Sequence, residues 1–452
     1  MDLRKVADAV PEYPAFLTVE ELNASTRKLT ADFPDLVTVR PLGKSQGGFP
    51  LELISIGNGP KSALVVGTPH PNEPIGCMTI EFLTRHLCEN NELREELGYT
   101  WHFIKSIDPD GLKLNEGWLK GPFTISNYLN HFFREALFDQ AEYSFPADYK
   151  ILHFDNVNPQ TQAWIKAQEL TRPDFQYSLH NSELGGVFYL ISDDAPPLYD
   201  LFGELPGWFN LALDPVGEPG ITNQAFAPAV SPLPSIKGII DELEAAGTTD
   251  PSSFWKAGFS SYEFARQYNT YSLVVEMPYW DNQRFLDQTP TNTSYHELIK
   301  EYLQAEDNSH EWLDPRIEAA RALLLPGNNL FLNAVQEQIK NTKRRLGPLR
   351  ESLQKPEEDR MATQADIFLY RTTFIMFQQR PLTMFKRMLE EEIAKGNSNP
   401  TFVELHGEAS TRLEDVCKVL EETIEYRNIP IRELAAVQAC AGLATAAFVR
   451  DR

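Results

Sequence analysis

Residues 63–76 read ALVVGTPHPNEPIG. The opening run, 63–67, is short and apolar and reads as a strand. Pro74 suits the first turn of a helix. Ile75, Met78, Phe82, Leu83 and Leu87 then recur at helical spacing on one face. Between strand and helix lie His70, with proline on either side, and Glu73.

The same alternation extends outward. Residues 19–33 have helical periodicity, and 36–41 with 51–56 flank the Gly-rich GKSQGG as a hairpin would. Residues 101–107 predict a strand closed by the turn Asp108-Pro109-Asp110-Gly111. Two more strands are expected at 175–179 and 271–275. Strands separated by helical stretches indicate an α/β domain with a largely parallel sheet. Residues 193–254 are rich in Pro and Gly and predict long surface excursions.

Beyond about residue 310 the pattern becomes helical. Segments 331–353, 364–378, 382–394 and 434–448 predict helices, separated by Pro326-Gly327, Pro381 and Gly396. Two or three helical hairpins would account for them. The charge runs Lys343-Arg344-Arg345 and Glu390-Glu391-Glu392 read as solvated helix faces.

Composition narrows the function. The 452 residues carry a net charge of −23, which argues against nucleic-acid binding and against polybasic docking on anionic membrane. The most apolar tract, 434–449, falls short of the roughly 18 apolar residues that span a bilayer. The N-terminal MDLRKVADAVPEYP lacks the apolar core of a signal peptide, so the cytoplasm is the expected location. Cys77, Cys88, Cys417 and Cys440 form no CxxC pair and read as reduced thiols.

HxxE occurs three times, as His70/Glu73, His86/Glu89 and His180/Glu183, so context must discriminate. His86 and Glu89 lie inside a predicted helix, where a structural role suffices. His70 follows a strand and Glu73 opens a helix; His180 closes FQYSLH and Glu276 closes YSLVVE. In open α/β sheets ligands bind beyond the carboxyl ends of strands. Two imidazoles and two carboxylates could therefore meet on one sheet edge. Three of them would suffice for a tetrahedral Zn²⁺ with its fourth position left to water. A remaining carboxylate could accept the water's proton. The bland alternative, a histidine merely hydrogen-bonded at a strand end, stays open on these residues alone. GKSQG at 43–47 matches GxSxG, but a strand follows where a nucleophile elbow needs a helix. Asp108-Pro109-Asp110-Gly111 fails as a calcium loop at its first and twelfth positions, Ser106 and Gly117.

Five stretches together resemble the zinc carboxypeptidases of the carboxypeptidase A-like superfamily. They are FPDLVTVRPLGKSQGGFPLELISIG, VVGTPHPNEPIG, WHFIKSIDPDG, YSLHNSE and YSLVVEM, with the similarity running over about 13–303. Glu73 precedes His180 by 107 residues and His180 precedes Glu276 by 96, intervals similar to the family's. The resemblance implies one zinc ion per chain, held by His70, Glu73 and His180, with Glu276 as general base. It also implies a mixed sheet of about eight strands sandwiched by helices, and hydrolysis of a C-terminal peptide bond. The expected division is a catalytic domain over 1–310 and a helical extension over 311–452, a candidate surface for self-association.

The sequence departs from the family where substrate would be gripped. The Asn-Arg pair that holds the terminal carboxylate has its nearest equivalent in SNYLNHFFRE, as Asn130 and Arg134. The substrate-capping tyrosine has only Tyr262 as a nearby candidate, while Phe254 and Trp255 occupy the expected interval. Two further readings compete: an N-acyl amino acid deacylase similar to the aspartoacylase and succinylglutamate desuccinylase group, and an inactive peptide-binding pseudoenzyme. The substrate would be a peptide or an acylated amino acid.

Overall fold

The computed structural model describes residues 1–217, 225–248, 250–327 and 329–452. Part of the Pro/Gly-rich stretch expected to loop over the surface (218–224 and 249) lies outside the described residues. The chain divides into two compact units. The first comprises Met1–Lys120, Leu137–Asp281 and Asn428–Arg452; the second comprises Gly121–Ala136 and Asn282–Arg427.

Among the described residues, the first unit is built on a mixed sheet of nine strands. Across it run Val37–Lys44, Pro50–Ile56, Tyr99–Ile104, Lys61–Val66, Phe175–Leu184, Tyr271–Asp281, Phe188–Ile191 and Val230–Pro232. The ninth strand, Arg427–Asn428, is two residues long and pairs Tyr271–Asp281. Tyr99–Ile104, Lys61–Val66, Phe175–Leu184 and Tyr271–Asp281 are mutually parallel and form the centre. Antiparallel strands flank them on both sides. Ala63, Leu64, Val65 and Val66 are fully buried, as their unbroken apolar run requires of a strand covered on both faces.

The helix Ile75–Glu89 follows directly and buries Ile75, Met78, Phe82, Leu83 and Leu87. It lies unusually close to the sheet. A Cβ on Gly76 would sit 2.7 Å from Leu179 Cβ and 3.0 Å from Gly67 Cα, and one on Gly67 would sit 2.4 Å from Lys105 O. Both glycines are therefore required by contact distance. Thr68, between them, is β-branched and fully buried, yet takes a left-handed φ of 54°. Its hydroxyl meets Cys77 Sγ at 2.8 Å. All four cysteines are free and buried.

Four expectations are corrected. The tetrapeptide 108–111 opens a helix instead of forming a turn that closes the strand: Asp108 caps Pro109–Leu119 by accepting from Gly111 N, with Pro109 in the first turn. Pro381 does not separate two helices but lies within Phe374–Ala394, where Met384, Phe385, Met388 and Leu389 are buried. That packing outweighs the roughly 3 kcal/mol that proline costs a helix interior. Glu392 is not on a solvated face; it is buried and accepts from Leu325 N at 2.9 Å. Finally, residue 310 is no boundary, since it falls inside the 27-residue helix Tyr295–Arg321.

The last helix, Ile431–Asp451, belongs to the first unit and packs on its sheet. Tyr99 Oη donates to Ala446 O at 2.8 Å and Tyr177 Oη to Gln438 O at 3.1 Å. At 21 residues the helix is long and apolar enough to cross a membrane, longer than the apolar tract read from the sequence, and 78% of its most apolar window is buried within the protein. The second unit is mainly helical, with one two-stranded sheet of Pro290–Ser294 and Met361–Thr363, and Leu298, Ile299, Tyr302, Leu303, Leu346 and Tyr370 are in its core.

The close approach at Gly76 gives a direct test. Gly76→Ala should lower stability by about 1–3 kcal/mol through overpacking. Gly203→Ala, at a helical position with nothing within 4 Å, should be neutral or slightly stabilising. Thermal unfolding of the two variants side by side checks the contrast, and equal midpoints would contradict it.

Candidate metal centre

The strand Lys61–Val66 pairs Phe175–Leu184 only as far as Val66↔Ser178. Beyond that rung the neighbouring strands continue without it. His180 stands two residues further on, at the register partner of Glu276. In a parallel pair, register partners present their side chains to the same face. The space vacated by the shorter strand is filled by the 67–74 loop, which carries His70 and Glu73.

Three donor residues converge there. The ring Nδ1 of His70 lies 3.0 Å from both carboxylate oxygens of Glu73. His180 Nδ1 lies 3.0 Å from Glu73 Oε2, and the two imidazole centroids are 4.8 Å apart. One donor atom from each of His70, Glu73 and His180 falls within 4.8 Å of the others, and all three side chains are buried. Donors bound about 2.0–2.1 Å from a tetrahedral zinc sit roughly 3.4 Å apart, so small adjustments suffice. Glu276 is the fourth member, with Oε1 3.8 Å from His180 Nδ1. It is the most open of the four: its side chain is 12% exposed, against 5%, 4% and 6% for His70, Glu73 and His180.

The loop is held by polar contacts as well as by close packing. Asn181 Oδ1 accepts from Ile75 N at 3.1 Å, and its Nδ2 donates to Met277 O at 2.9 Å. Asn181 N approaches Glu73 Oε2 at 3.3 Å. Tyr279 Oη, three residues past Glu276, donates to Asn72 O at 2.7 Å. These bonds satisfy the Asn181 side chain, so this polar residue does not end its strand. The sequence places His180 and Glu276 at strand ends, whereas both strands run on, to Leu184 and Asp281.

A buried carboxylate the sequence reading missed stands behind His180. Ser178 Oγ lies 3.0 Å from His180 Nε2 and donates to Glu142 Oε2 at 3.1 Å; Ser261 Oγ donates to Glu142 Oε1 at 2.5 Å. Burial raises the Glu142 pKa, opposed by the His180 charge and the two hydroxyls. For His180, burial alone would depress the pKa. The hydrogen bond and charge of Glu73, with the charges of Glu276 and Glu142, overcome it and hold the imidazole up to about 9. His180 Nδ1 is buried and faces the Glu73 carboxylate at 3.0 Å. Clustered carboxylates and a buried ring nitrogen of this kind call for a cation, and the His–Glu–His donor set fits zinc.

Of the other predicted site residues, Asn130 and Arg134 belong to the second compact unit and not to the unit that holds the cluster. Asn130 Nδ2 donates to Ser126 O within its own helix. Tyr262 is half-buried and lies 6.0 Å from the Arg266 guanidinium. It is Tyr143 that stacks on His70, at 6.0 Å, and Trp255 meets Tyr143 edge-on at 5.3 Å. Trp255 in turn lines a cavity of about 300 Å³ with Leu152, His153, Phe154 and Lys256. His86 stacks on Phe82 within its helix, the structural role its position implied. Ser45, in the GxSxG-like turn, bonds Asp110 at 2.7 Å, as hairpin packing requires.

The chain from His180 through Ser178 to Glu142 should matter for metal affinity, because partners that orient a ligating imidazole typically control it 10–100-fold. Glu142→Ala is expected to weaken zinc binding by about tenfold or more in competition with a chromophoric chelator. Affinity equal to that of the parent protein would show the relay to be packing alone.

The sequence model of the zinc carboxypeptidase family matches residues 22–128, a segment that includes His70 and Glu73. No sequence among curated proteins matches the chain. Among solved structures, similarity is found to a metallo-carboxypeptidase from Burkholderia cenocepacia at 16% identity and TM-score 0.33, covering 58% of this chain and 60% of that one. Similarity is also found to carboxypeptidase A from Helicoverpa armigera, at 15% identity and TM-score 0.39, covering 62% and 70%. A metallo-carboxypeptidase from Pseudomonas aeruginosa gives 14% and 0.33, covering 58% and 60%. The chain thus spans less than two thirds of the length of the two bacterial enzymes. Over residues 22–128 this chain is similar to the zinc carboxypeptidases, the family its five sequence motifs resemble.

Proposed function

We propose that the protein is a zinc-dependent metallocarboxypeptidase that cleaves a C-terminal peptide or amide bond. The observation that carries this reading is the convergence of His70, Glu73 and His180 with Glu276 beside the parallel centre of the sheet. Zinc held by the first three would supply Lewis acidity, polarising a carbonyl and bringing the pKa of water toward neutrality.

Glu276 suits the general base. Its carboxylate is close enough to the cluster to share its space, and its partial exposure gives a water molecule access that the buried ligands lack. A base in that position takes the proton of the attacking water and returns it to the leaving nitrogen. Tyr143 and Trp255 form an aromatic wall from His70 to the neighbouring cavity, an apolar surface on which a substrate side chain can rest.

The deacylase reading is favoured by one observation: the chain lacks an adjacent Asn-Arg pair to clamp a terminal carboxylate, since Asn130 is followed by His131 and Arg134 comes three residues later. The products separate the two. A peptidase releases a free C-terminal amino acid, and a deacylase releases a small acid from an acylated amino acid.

The decisive experiment combines elemental analysis with turnover of both substrate classes. The wild-type protein should carry about one zinc per chain, and His180→Ala should lose it. Glu276→Gln should keep the metal and lose about 10²–10⁴-fold in kcat. Full activity in Glu276→Gln would eliminate the proposed base, and a metal-free wild type after reconstitution would eliminate the hydrolase in favour of a binding protein.

A further inference from the structure

The helix Ile431–Asp451 is lined with small and apolar residues, Ala435, Ala436, Ala439, Ala441, Leu443 and Ala444 among them, all buried. Gln438 stands in their midst with no exposure at all. A buried amide without partners costs roughly 1–3 kcal/mol on mutational scales, so its bonds should account for its presence. They lead to the metal centre.

Gln438 Nε2 donates to His180 O at 2.8 Å and to Val275 O at 3.2 Å. The first carbonyl belongs to a proposed metal ligand, and the second to the residue immediately before Glu276. His180 and Glu276 are register partners, so one amide bridges the two strands at the rung where the two functional side chains emerge. The third bond comes from Thr79, whose hydroxyl donates to Gln438 Oε1 at 2.8 Å. Thr79 lies on the helix that begins two residues after Glu73. The orientation of the amide is fixed by chemistry: two carbonyls on one side can only be met by the N–H₂ group. The three contacts are 258, 163 and 359 residues distant in sequence.

We propose that Gln438 is a positioning residue for the metal centre. It holds the backbone under His180 and Glu276 in register with the helix behind Glu73. Both ring nitrogens of His180 are already directed, Nδ1 to Glu73 and Nε2 to Ser178, so the remaining freedom of this ligand lies in its backbone. Gln438 removes it. The inference rests on the metal-site reading above, and its test separates the two.

The test compares full-length wild type, Gln438→Met, Thr79→Val and Thr445→Val. Methionine keeps the length of the side chain and abolishes both donors. Thr445 is buried on the same helix and its hydroxyl donates to Ala441 O, within the helix, so Thr445→Val reports general loosening of that helix. Zinc affinity is measured by competition with a chromophoric chelator, and thermal unfolding is followed on the metal-free proteins. Gln438→Met is expected to weaken zinc binding by about 10–100-fold, whereas Thr445→Val leaves affinity within twofold, whatever either does to the melting temperature. Gln438→Met with wild-type affinity would overturn the proposal, even with a lowered melting temperature. If Gln438→Met does not fold, Thr79→Val carries the test: it frees the amide oxygen without unpairing His180 O, and unchanged affinity there would overturn the proposal equally. A wild-type chain that takes up no zinc would overturn the site reading itself, and this inference with it.

Discussion

One strand of the central sheet stops early, and the candidate site depends on that. The pairing of Lys61–Val66 with its neighbour ends at Val66↔Ser178, while the strands of His180 and Glu276 continue for several more residues. A continuous third strand would occupy the place of the 67–74 loop and leave no room for His70 and Glu73. The early stop is enforced from both sides. Gly67 and Gly76 admit backbone at distances no side chain tolerates, and Thr68 takes the left-handed conformation needed to turn the chain there. The bonds from Asn181 and Tyr279 then tie the loop to the strands that outlast it.

Around this gap the electrostatics are unbalanced by design of position. Three carboxylates, Glu73, Glu142 and Glu276, act on one buried imidazole, and their combined field exceeds the desolvation that would otherwise neutralise it. Glu142 differs from the other two in being separated from the ring by the Ser178 hydroxyl, so it orients through a hydrogen bond where they act by proximity. A cation in the cluster would offset the same excess of negative charge.

Much of this was legible in the sequence, for identifiable reasons. The apolar run at 63–67, the proline that opens the next helix and the HxxE between them are local features, and local features survive in one dimension. Glu276 in YSLVVE and His180 in FQYSLH could be placed because both segments read as parallel strands, although both strands run on past them. What escaped was non-local. Glu142 sits in a short helical turn without periodicity, and its role exists only through Ser178 and Ser261. Tyr143, not Tyr262, stacks on His70, and spacing alone gave no sign of it. The division at residue 310 followed the change to helical texture, yet texture cannot distinguish a helix of the second unit from Ile431–Asp451, which covers the sheet of the first. Pro381 misled in the same way, because a proline's cost is local and the packing that outweighs it is not.

The order of the chain adds a constraint in time. The path leaves the sheet unit after Asp281 and returns to it only at Asn428. At a synthesis rate of about 5–20 residues per second, Gln438 follows Glu276 off the ribosome by roughly 8–30 s. During that interval the nascent chain already holds His70, Glu73, His180 and Glu276, but not the helix that bonds His180 O and Val275 O. The site's chemistry is translated long before its brace, and the larger part of the helical unit, Asn282–Arg427, is made in between.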